Sequence, residues 1–189
     1  MIKLTREEKE EIINYLDQFM DFSSYAIWGK DKTDISGIVD RDNLIETFNP
    51  NYVLVAFNQS GEVNEKYKNF HMTRNETRLM KTINRVTELN GAFITDLFAG
   101  NEVITKTGDE LKKELKANKA LKEKLIKDFL IRVKPFIKLG SKLIAIGETI
   151  VEPYLSEINE IINQSSAYHY SGSAGKTYDE LEKSYREAL

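Results

Sequence analysis

The chain of 189 residues has no cysteine, and it has only two histidines, one tryptophan and three prolines. Without cysteine there is no disulfide, no thiol nucleophile and no cysteine-bound iron–sulfur cluster. The histidines, His71 and His169, lie far apart in the sequence and have no dense pattern of carboxylates around them. We therefore predict no metal site and no cofactor.

Long apolar runs are also absent, because no segment approaches the roughly 18 apolar residues of a membrane-spanning helix. The first residues, M-I-K-L-T-R-E-E, lack the apolar core of a secretion signal. These absences predict a cytoplasmic protein with no membrane association. A chain of this length with 41% apolar residues can bury one core, so we expect a single domain over residues 1–189.

The net charge of −3 conceals an uneven distribution of charge along the chain. Residues 106–142 hold 12 Lys and Arg against 5 Asp and Glu, whereas the remainder is acidic. A basic segment of this kind can contact the phosphates of DNA or of a nucleotide. A lysine-rich, solvated helix surface is the more common origin of such a pattern. Both interpretations stay open.

Helix starts are marked by the Thr-x-x-Glu spacing of the capping box, in which each side chain binds the other residue's backbone amide. This spacing occurs at Thr5…Glu8, Thr73…Glu76 and Thr177…Glu180. Helices are also predicted over residues 107–137, with a break near Asn118, and over residues 148–163, where Pro153 predicts a late start or a kink. The polar, turn-rich residues 30–43 predict a long surface loop.

Short apolar runs predict strands at residues 25–28, 52–57, 92–96, 143–146 and, more weakly, 167–170. The runs 52–57 and 143–146 are apolar on both faces, as in a strand that is covered on both sides. Strands and helices alternate along the chain. We therefore expect an α/β fold, a three-layer α/β/α sandwich with a short, mainly parallel, four-stranded sheet.

Polar or small residues follow four of these strands. They are Asn58-Gln59-Ser60-Gly61, Thr95-Asp96, Gly147-Glu148 and His169-Tyr170-Ser171-Gly172. In open parallel sheets, ligands bind outside the carboxyl ends of the strands. We therefore expect these four ends to converge on one site.

The loop formed by Asn58, Gln59, Ser60 and Gly61 is the first candidate for ligand binding. An amide side chain offers both donor and acceptor atoms, so Asn58 can orient a water or bind a base edge. Asparagine, serine and glycine also form ordinary turns, and a plain turn is the alternative interpretation.

Asp96 and His169 are the candidate acid–base groups. Asp96 ends an apolar run, where a carboxylate is costly to bury without a partner. It acts as a general base, accepts from a ligand N–H, or braces a loop. His169 stabilises negative charge and carries a proton, or it is structural. Ser171, two residues later, is a further candidate for ligand binding.

Residues 172–177, G-S-A-G-K-T, resemble the end of a phosphate-binding loop. The complete pattern requires a glycine at position 170, where this chain has Tyr170. We therefore predict a turn before the Thr177 helix cap and not a nucleoside triphosphate site.

Taken in order, the strand ends resemble the uracil-DNA glycosylase-like superfamily, particularly its uncharacterised bacterial branch. Residues 52–60 are similar to its first motif, an apolar strand that runs into an Asn/Asp-Pro loop. Residues 94–98 are similar to a middle strand ending in Thr-Asn, and residues 143–147 to a strand that precedes a helix. His169-Tyr170-Ser171 occupies the place of His-Pro-Ser. The resemblance covers residues 50–189 and leaves residues 1–45 as an N-terminal helix and extension.

The resemblance implies a protein that flips out a base and hydrolyses its glycosidic bond. It implies that Asn58 places the attacking water, that Asp96 faces the base edge and that His169 lies against a base carbonyl. Gln59 and Tyr170 stand where the family has proline, and Asp96 stands where it has asparagine. An ionised aspartate only accepts hydrogen bonds, so this site is not expected to bind a uracil-like edge as asparagine does.

Two functions follow from these observations. The first is a glycosylase-like protein that binds a nucleobase, a nucleotide or nucleic acid and hydrolyses an N-glycosidic bond. The second is a non-catalytic module on the same scaffold, which binds nucleic acid, a nucleotide signal or a protein. The sequence leaves both open.

Overall fold

The backbone forms an α/β fold around one mixed sheet, in a computed structural model that describes residues 1–59, 65–73 and 75–189. Within these residues the sheet has five strands in the order β1-β3-β2-β4-β5. The strands are β1 (Ser23–Tyr25), β2 (Asn49–Asn58), β3 (Ala92–Phe98), β4 (Lys142–Ile146) and β5 (Gln164–Ala167).

The prediction of a four-stranded, mainly parallel sheet is wrong in detail. Strands β2 to β5 pair in parallel, but β1 pairs antiparallel with β3 at the edge of the sheet. Strand β1 was predicted two residues too late because it contains the buried serines Ser23 and Ser24, which interrupt the apolar pattern. Ser23 Oγ lies 2.8 Å from Thr95 Oγ1, and Ser24 Oγ donates to Tyr67 O at 2.8 Å. Their hydroxyls are therefore satisfied inside the fold.

Eight α-helices occur in the described residues. They are α1 (Arg6–Leu16), α2 (Ser36–Val39), α3 (Arg41–Thr47), α4 (Glu76–Ile83), α5 (Gly108–Ala117), α6 (Lys119–Leu139), α7 (Glu152–Leu155) and α8 (Tyr178–Ala188). The capping boxes predicted at Thr5 and Thr177 are confirmed, and a further box starts α5 at Thr107. The predicted break at Asn118 is also confirmed, because its side chain caps α6 by accepting from the Leu121 amide at 3.0 Å.

Three local predictions are wrong. Residues 30–43 are not one surface loop, because α2 and the start of α3 lie there and bury Ile38. The helix predicted over residues 148–163 starts late at Glu152, as Pro153 predicts, but it ends after only four residues as α7. The prediction that Thr73 caps a helix is also wrong, because α4 begins at Glu76 with Asn75 before it.

The core lies on both faces of the sheet, because successive side chains of a strand point to opposite sides. On β2, Val53, Val55 and Phe57 join one hydrophobic cluster, whereas Leu54 and Ala56 join the other. Helices α1, α3 and α6 contribute to the first cluster, and α4 and α8 contribute to the second. The N-terminal 45 residues therefore share the core of the parallel strands. None of the helices described is long and apolar enough to cross a membrane.

Candidate functional site

A cavity of about 340 Å³ lies at the carboxyl ends of β2 and β3. It combines polar groups with aromatic rings, and its lining includes Phe57, Asn58, Gln59, Asn69, Phe70, Glu76, Asp96, Lys112, His169 and Tyr170. Parallel pairing in register, with Ala56 opposite Asp96, brings the ends of the two strands side by side. Three residues predicted from separate strand ends, Asn58, Asp96 and His169, thus line one cavity.

The end of β2 is held by the amide groups of Asn58 and Gln59. Asn58 Nδ2 donates to Lys106 O at 3.0 Å and to Gln59 O at 3.4 Å. Gln59 is buried, and its Nε2 donates to Asp21 O at 3.4 Å. Ser60 and Gly61, predicted as ligand-binding residues of the same loop, lie outside the described residues.

Asp96 is 3% exposed and lies within β3, which is buried throughout and continues two residues beyond the predicted end, to Phe98. Its Oδ2 accepts from Asn69 Nδ2 at 3.0 Å. Burial raises the pKa of Asp96 to about 7, although the Asn69 hydrogen bond and the charge of Arg132 favour its ionised form. A carboxyl group with this pKa exchanges a proton near neutral pH, as a general base does.

Residues 65–76 supply cavity residues that sequence reasoning missed, namely Asn69, Phe70 and Glu76. Tyr67 and Phe70 adopt positive φ angles of 67° and 69°, which turn the chain back towards the sheet. Non-glycine residues rarely adopt this conformation, and nothing in the sequence marks it. The Thr73…Glu76 spacing was a signal for Glu76, whose buried carboxylate accepts from the backbone amides of Met72 and Thr73.

His169 is half-buried, and its ring stacks on Tyr170 with centroids 4.8 Å apart. Its Nδ1 accepts from the backbone N–H of Ser171 at 3.1 Å, so the proton of the neutral ring lies on Nε2. Burial lowers the pKa of His169, which favours this neutral form. A neutral imidazole with its Nε2–H available is a hydrogen-bond donor for a ligand carbonyl.

A second cavity, of about 570 Å³, adjoins the first and shares Ile150 and His169 with it. It is lined by Gly147 and Glu148 after β4 and by Ser171 after β5. The four strand ends therefore do not converge on one cavity. They line two neighbouring cavities, with His169 between them.

Arg132, on α6, is a buried cation behind the site and was also missed. It is 2% exposed, and its Nη2 donates to Asp96 O at 2.7 Å and to Leu97 O at 3.3 Å. Its guanidinium also packs against the rings of Phe22 and Phe129. The sequence held a signal, because Arg132 lies three residues after Phe129 and four before Phe136, on the apolar face of the helix.

The basic segment 106–142 forms α5, α6 and the start of β4. Several of its lysines pair with acids, including Lys106 with Glu114 at 2.9 Å and Lys122 with Glu157 at 2.5 Å. Lys112 lines the cavity, with its Nζ 5.8 Å from the centre of the Phe57 ring. The basic segment therefore reaches the candidate site at one lysine.

Residues 172–177 form a short 3₁₀ turn, Gly172–Ala174, before the Thr177 cap of α8. In the part of the chain that the structure describes, no group of three histidine, cysteine, aspartate or glutamate side chains could hold a metal ion. No protein-family model matches the chain, and no curated protein or solved structure matches it significantly.

Proposed function

We propose that this protein binds a nucleobase, as part of a nucleotide or nucleic acid, and hydrolyses the N-glycosidic bond that joins it to its sugar. One observation carries the proposal: Asn58, Asp96 and His169 line the same cavity. At about 340 Å³, this cavity is at the small end of the roughly 300–1,000 Å³ of ligand pockets. A single flat heterocycle suits that size.

The lining suits a base in composition as well as in size. The rings of Phe57, Phe70 and Tyr170 are available to stack on or edge against a flat ring. Amide and carboxyl groups at Asn58, Gln59 and Asp96 supply hydrogen bonds for its edge. Aromatic walls with a few oriented polar groups are how enzymes hold an extruded base.

In the proposed reaction, a water oxygen bonds to C1′ of the sugar while the bond from C1′ to the base nitrogen breaks. The base leaves with the bonding electron pair and takes up the proton that the water loses. Asn58 orients the water, since its Nδ2 is engaged by Lys106 O and its Oδ1 remains to accept from a water O–H. His169 donates from Nε2 to a base carbonyl and stabilises the charge that develops there.

DNA or a nucleotide is the proposed partner, with the basic segment 106–142 contacting its phosphates. Lys112 supports this role because it lies at the cavity and is half-buried beside Phe57. We also propose a three-layer α/β/α architecture, which the two hydrophobic clusters on opposite faces of the sheet support, and a cytoplasmic location.

A non-catalytic binding module is the second candidate. It is favoured by the structural roles of two site residues, because Asn58 is bonded to the Lys106 carbonyl and Asp96 is bonded to Asn69. Such a module would bind the same base and leave its glycosidic bond intact.

A base-release assay separates the two candidates. Single-stranded and duplex oligonucleotides that each contain one test base are incubated with excess protein, and abasic sites are counted after alkaline cleavage. Catalysis predicts release that Asn58→Ala and His169→Ala each reduce at least about 100-fold, as expected for groups that act in the transition state. Binding that is retained without release in the wild-type protein would support the non-catalytic module.

The contribution of phosphate contacts is measured by repeating the binding titrations between 50 and 200 mM salt. Contacts from the basic segment predict an affinity that falls steeply with salt. Lys112→Gln is expected to reduce that slope, whereas Lys183→Gln, on α8 outside the basic segment, leaves it unchanged. An affinity that does not depend on salt would contradict the phosphate role.

A further inference from the structure

The amide groups at the cavity direct their N–H donors into the protein. Asn58 Nδ2 donates to two backbone carbonyls, those of Lys106 and Gln59. Asn69 Nδ2 donates to Asp96 Oδ2 at 3.0 Å, and Gln59 Nε2 donates to Asp21 O. An amide side chain has donors only on nitrogen and acceptors only on oxygen. Both donors of Asn58 are thus used, Asn69 and Gln59 each use one of their two, and the oxygens of all three side chains remain to accept from a ligand.

Gln59 is the clearest case of an acceptor oxygen that lacks a hydrogen-bond donor. The residue is 4% exposed and lines the cavity, and its Oε1 is buried with no hydrogen-bond partner among the described residues. A buried acceptor without a donor costs free energy. A donor N–H that reaches this oxygen would remove that cost.

Asp96 adds a carboxyl group to the same surface, which we call the acceptor wall and define as Asn58, Gln59, Asn69 and Asp96. One oxygen of Asp96 accepts from Asn69, and an ionised carboxylate has no donor of its own. The oxygen atoms of the acceptor wall thus come from three elements. Asn58 and Gln59 lie at the end of β2, Asn69 lies before α4, and Asp96 lies near the end of β3.

We propose that the acceptor wall selects a base that carries an exocyclic amino group, an inference that rests on the proposed function. Guanine and cytosine present N–H donors from such a group and also carry a carbonyl group for His169, whereas adenine has the amino group alone. Uracil and thymine have a carbonyl oxygen in place of the amino group at position 4, so only their ring N3–H can donate to the wall. The site therefore prefers a base with an exocyclic amino group over uracil or thymine.

Charged neighbours decide when Asp96 acts as an acceptor. Glu76 faces it from α4 and disfavours its ionisation, whereas Arg132 faces it from α6 and favours it. His169, after β5, is held neutral by burial, and α5 contributes Lys112 and Asp109, which line the cavity as a pair 3.9 Å apart. Since burial raises the pKa of Asp96 to about 7, the acceptor form prevails above neutral pH. An amino-bearing base is thus expected to bind more tightly at pH 8 than at pH 6.

The experiment uses matched pairs of nucleoside 5′-monophosphates, titrated into the full-length protein by calorimetry at pH 6 and pH 8. Cytidine and uridine monophosphate differ at position 4 and at the adjacent ring nitrogen, and guanosine and inosine monophosphate differ only in the 2-amino group. At pH 8 we expect the amino-bearing member of at least one pair to bind about tenfold more tightly. At pH 6 we expect that preference to shrink.

Two variants test whether the acceptor wall causes the preference for an amino-bearing base. Asp96→Asn keeps the shape of the side chain but replaces one acceptor oxygen with a donor, so it should abolish both the preference and its pH dependence. Asp42→Asn removes a carboxylate that is 80% exposed and paired with Arg6, outside the cavity, and should leave both unchanged. Circular dichroism establishes that each variant is folded.

The outcomes separate the inference from the proposed function. Equal affinity within both pairs, or a preference that Asp96→Asn leaves intact, overturns the inference and leaves nucleobase binding in place. No binding by any of the four nucleotides overturns nucleobase binding itself. Heat on titration with Mg²⁺ alone that disappears in Asp96→Asn, without nucleotide binding, would instead identify the oxygen-rich wall as a cation site.

Discussion

Asn69 Nδ2 donates to Asp96 Oδ2 at 3.0 Å and joins the segment before α4 to the end of β3. This hydrogen bond connects a residue about which the sequence predicts nothing to the carboxyl group that the strand pattern singles out. It fixes one oxygen of Asp96 and favours the ionised form of that carboxyl group.

The first prediction concerns this bond. Asn69→Ala removes a hydrogen bond to the charged form of Asp96, so the pKa of Asp96 should rise above its wild-type value of about 7. The pKa is measured by NMR from the pH dependence of the Asp96 side-chain carboxyl carbon. Asn101→Ala, at an exposed turn, is the matched control and should leave it unchanged. An unchanged pKa in Asn69→Ala would show that the bond does not form in solution.

The second prediction concerns stability and pH. The pKa of Asp96 lies above its unfolded value of 3.8, so between about pH 4 and pH 7 the folded state holds a proton that the unfolded state has lost. The contribution of Asp96 to stability is therefore present at low pH and is lost as pH rises towards 7, by up to roughly 1 kcal/mol per pH unit. Asp96→Asn lacks this dependence. In urea unfolding at pH 5, 6, 7 and 8, the free energy of unfolding of Asp96→Asn should increase relative to that of the wild type as pH rises. A constant difference between the two proteins would contradict the raised pKa of Asp96.

The third prediction concerns Arg132. Arg132→Met removes the donor to the carbonyl groups of Asp96 and Leu97 and should lower the free energy of unfolding by roughly 1–3 kcal/mol. It also removes a charge that favours ionised Asp96, so the pKa of Asp96 should rise. Arg132→Lys keeps the charge and should preserve more of that pKa than Arg132→Met does. If the two variants give the same Asp96 pKa, the charge of Arg132 has no influence at the site.

The fourth prediction tests a feature of α6 away from the cavity. Pro135 has no N–H, so the carbonyl of Ile131 lacks its helical partner, and Tyr15 OH donates to that carbonyl at 2.7 Å. Tyr15→Phe should cost about 1 kcal/mol of stability. Tyr185→Phe is the matched comparison, because the buried Tyr185 hydroxyl has no partner among the described residues and its removal should be neutral or stabilising. Equal losses in the two variants, measured by urea unfolding, would contradict this account.

Much of the site follows from the sequence because strand ends carry local signals. The runs 52–57 and 143–146 lie within β2 and β4, and a parallel sheet brings Asn58, Asp96 and His169 to one side without further information. The approach of Asn69 and Phe70 depends instead on two positive φ angles, which arise from tertiary contacts such as the hydrogen bond from Tyr67 OH to Asp17 at 3.0 Å.

The remaining errors in predicting strands, helices and buried residues have a common physical origin. Polar residues in buried or paired positions interrupt the apolar patterns from which these features are predicted. Strand β5 is Gln-Ser-Ser-Ala and was predicted three residues too late, because its polar residues lack apolar alternation. Helix α3 starts behind Asp40, whose side chain accepts from the Asn43 amide at 3.1 Å, within a stretch that reads as polar. Arg132 is likewise stabilised in the core by backbone carbonyl groups that no sequence pattern reveals.

The most direct test of the central claim is to map nucleotide binding by amide chemical shifts in the ¹⁵N-labelled protein. Titration with cytidine and guanosine monophosphate should shift the amides of Asn58, Gln59, Asp96 and His169 together and saturably. Shifts absent from these residues, or confined to the apolar groove of about 360 Å³ between α1 and α6, would contradict the assignment of this cavity as a nucleobase site.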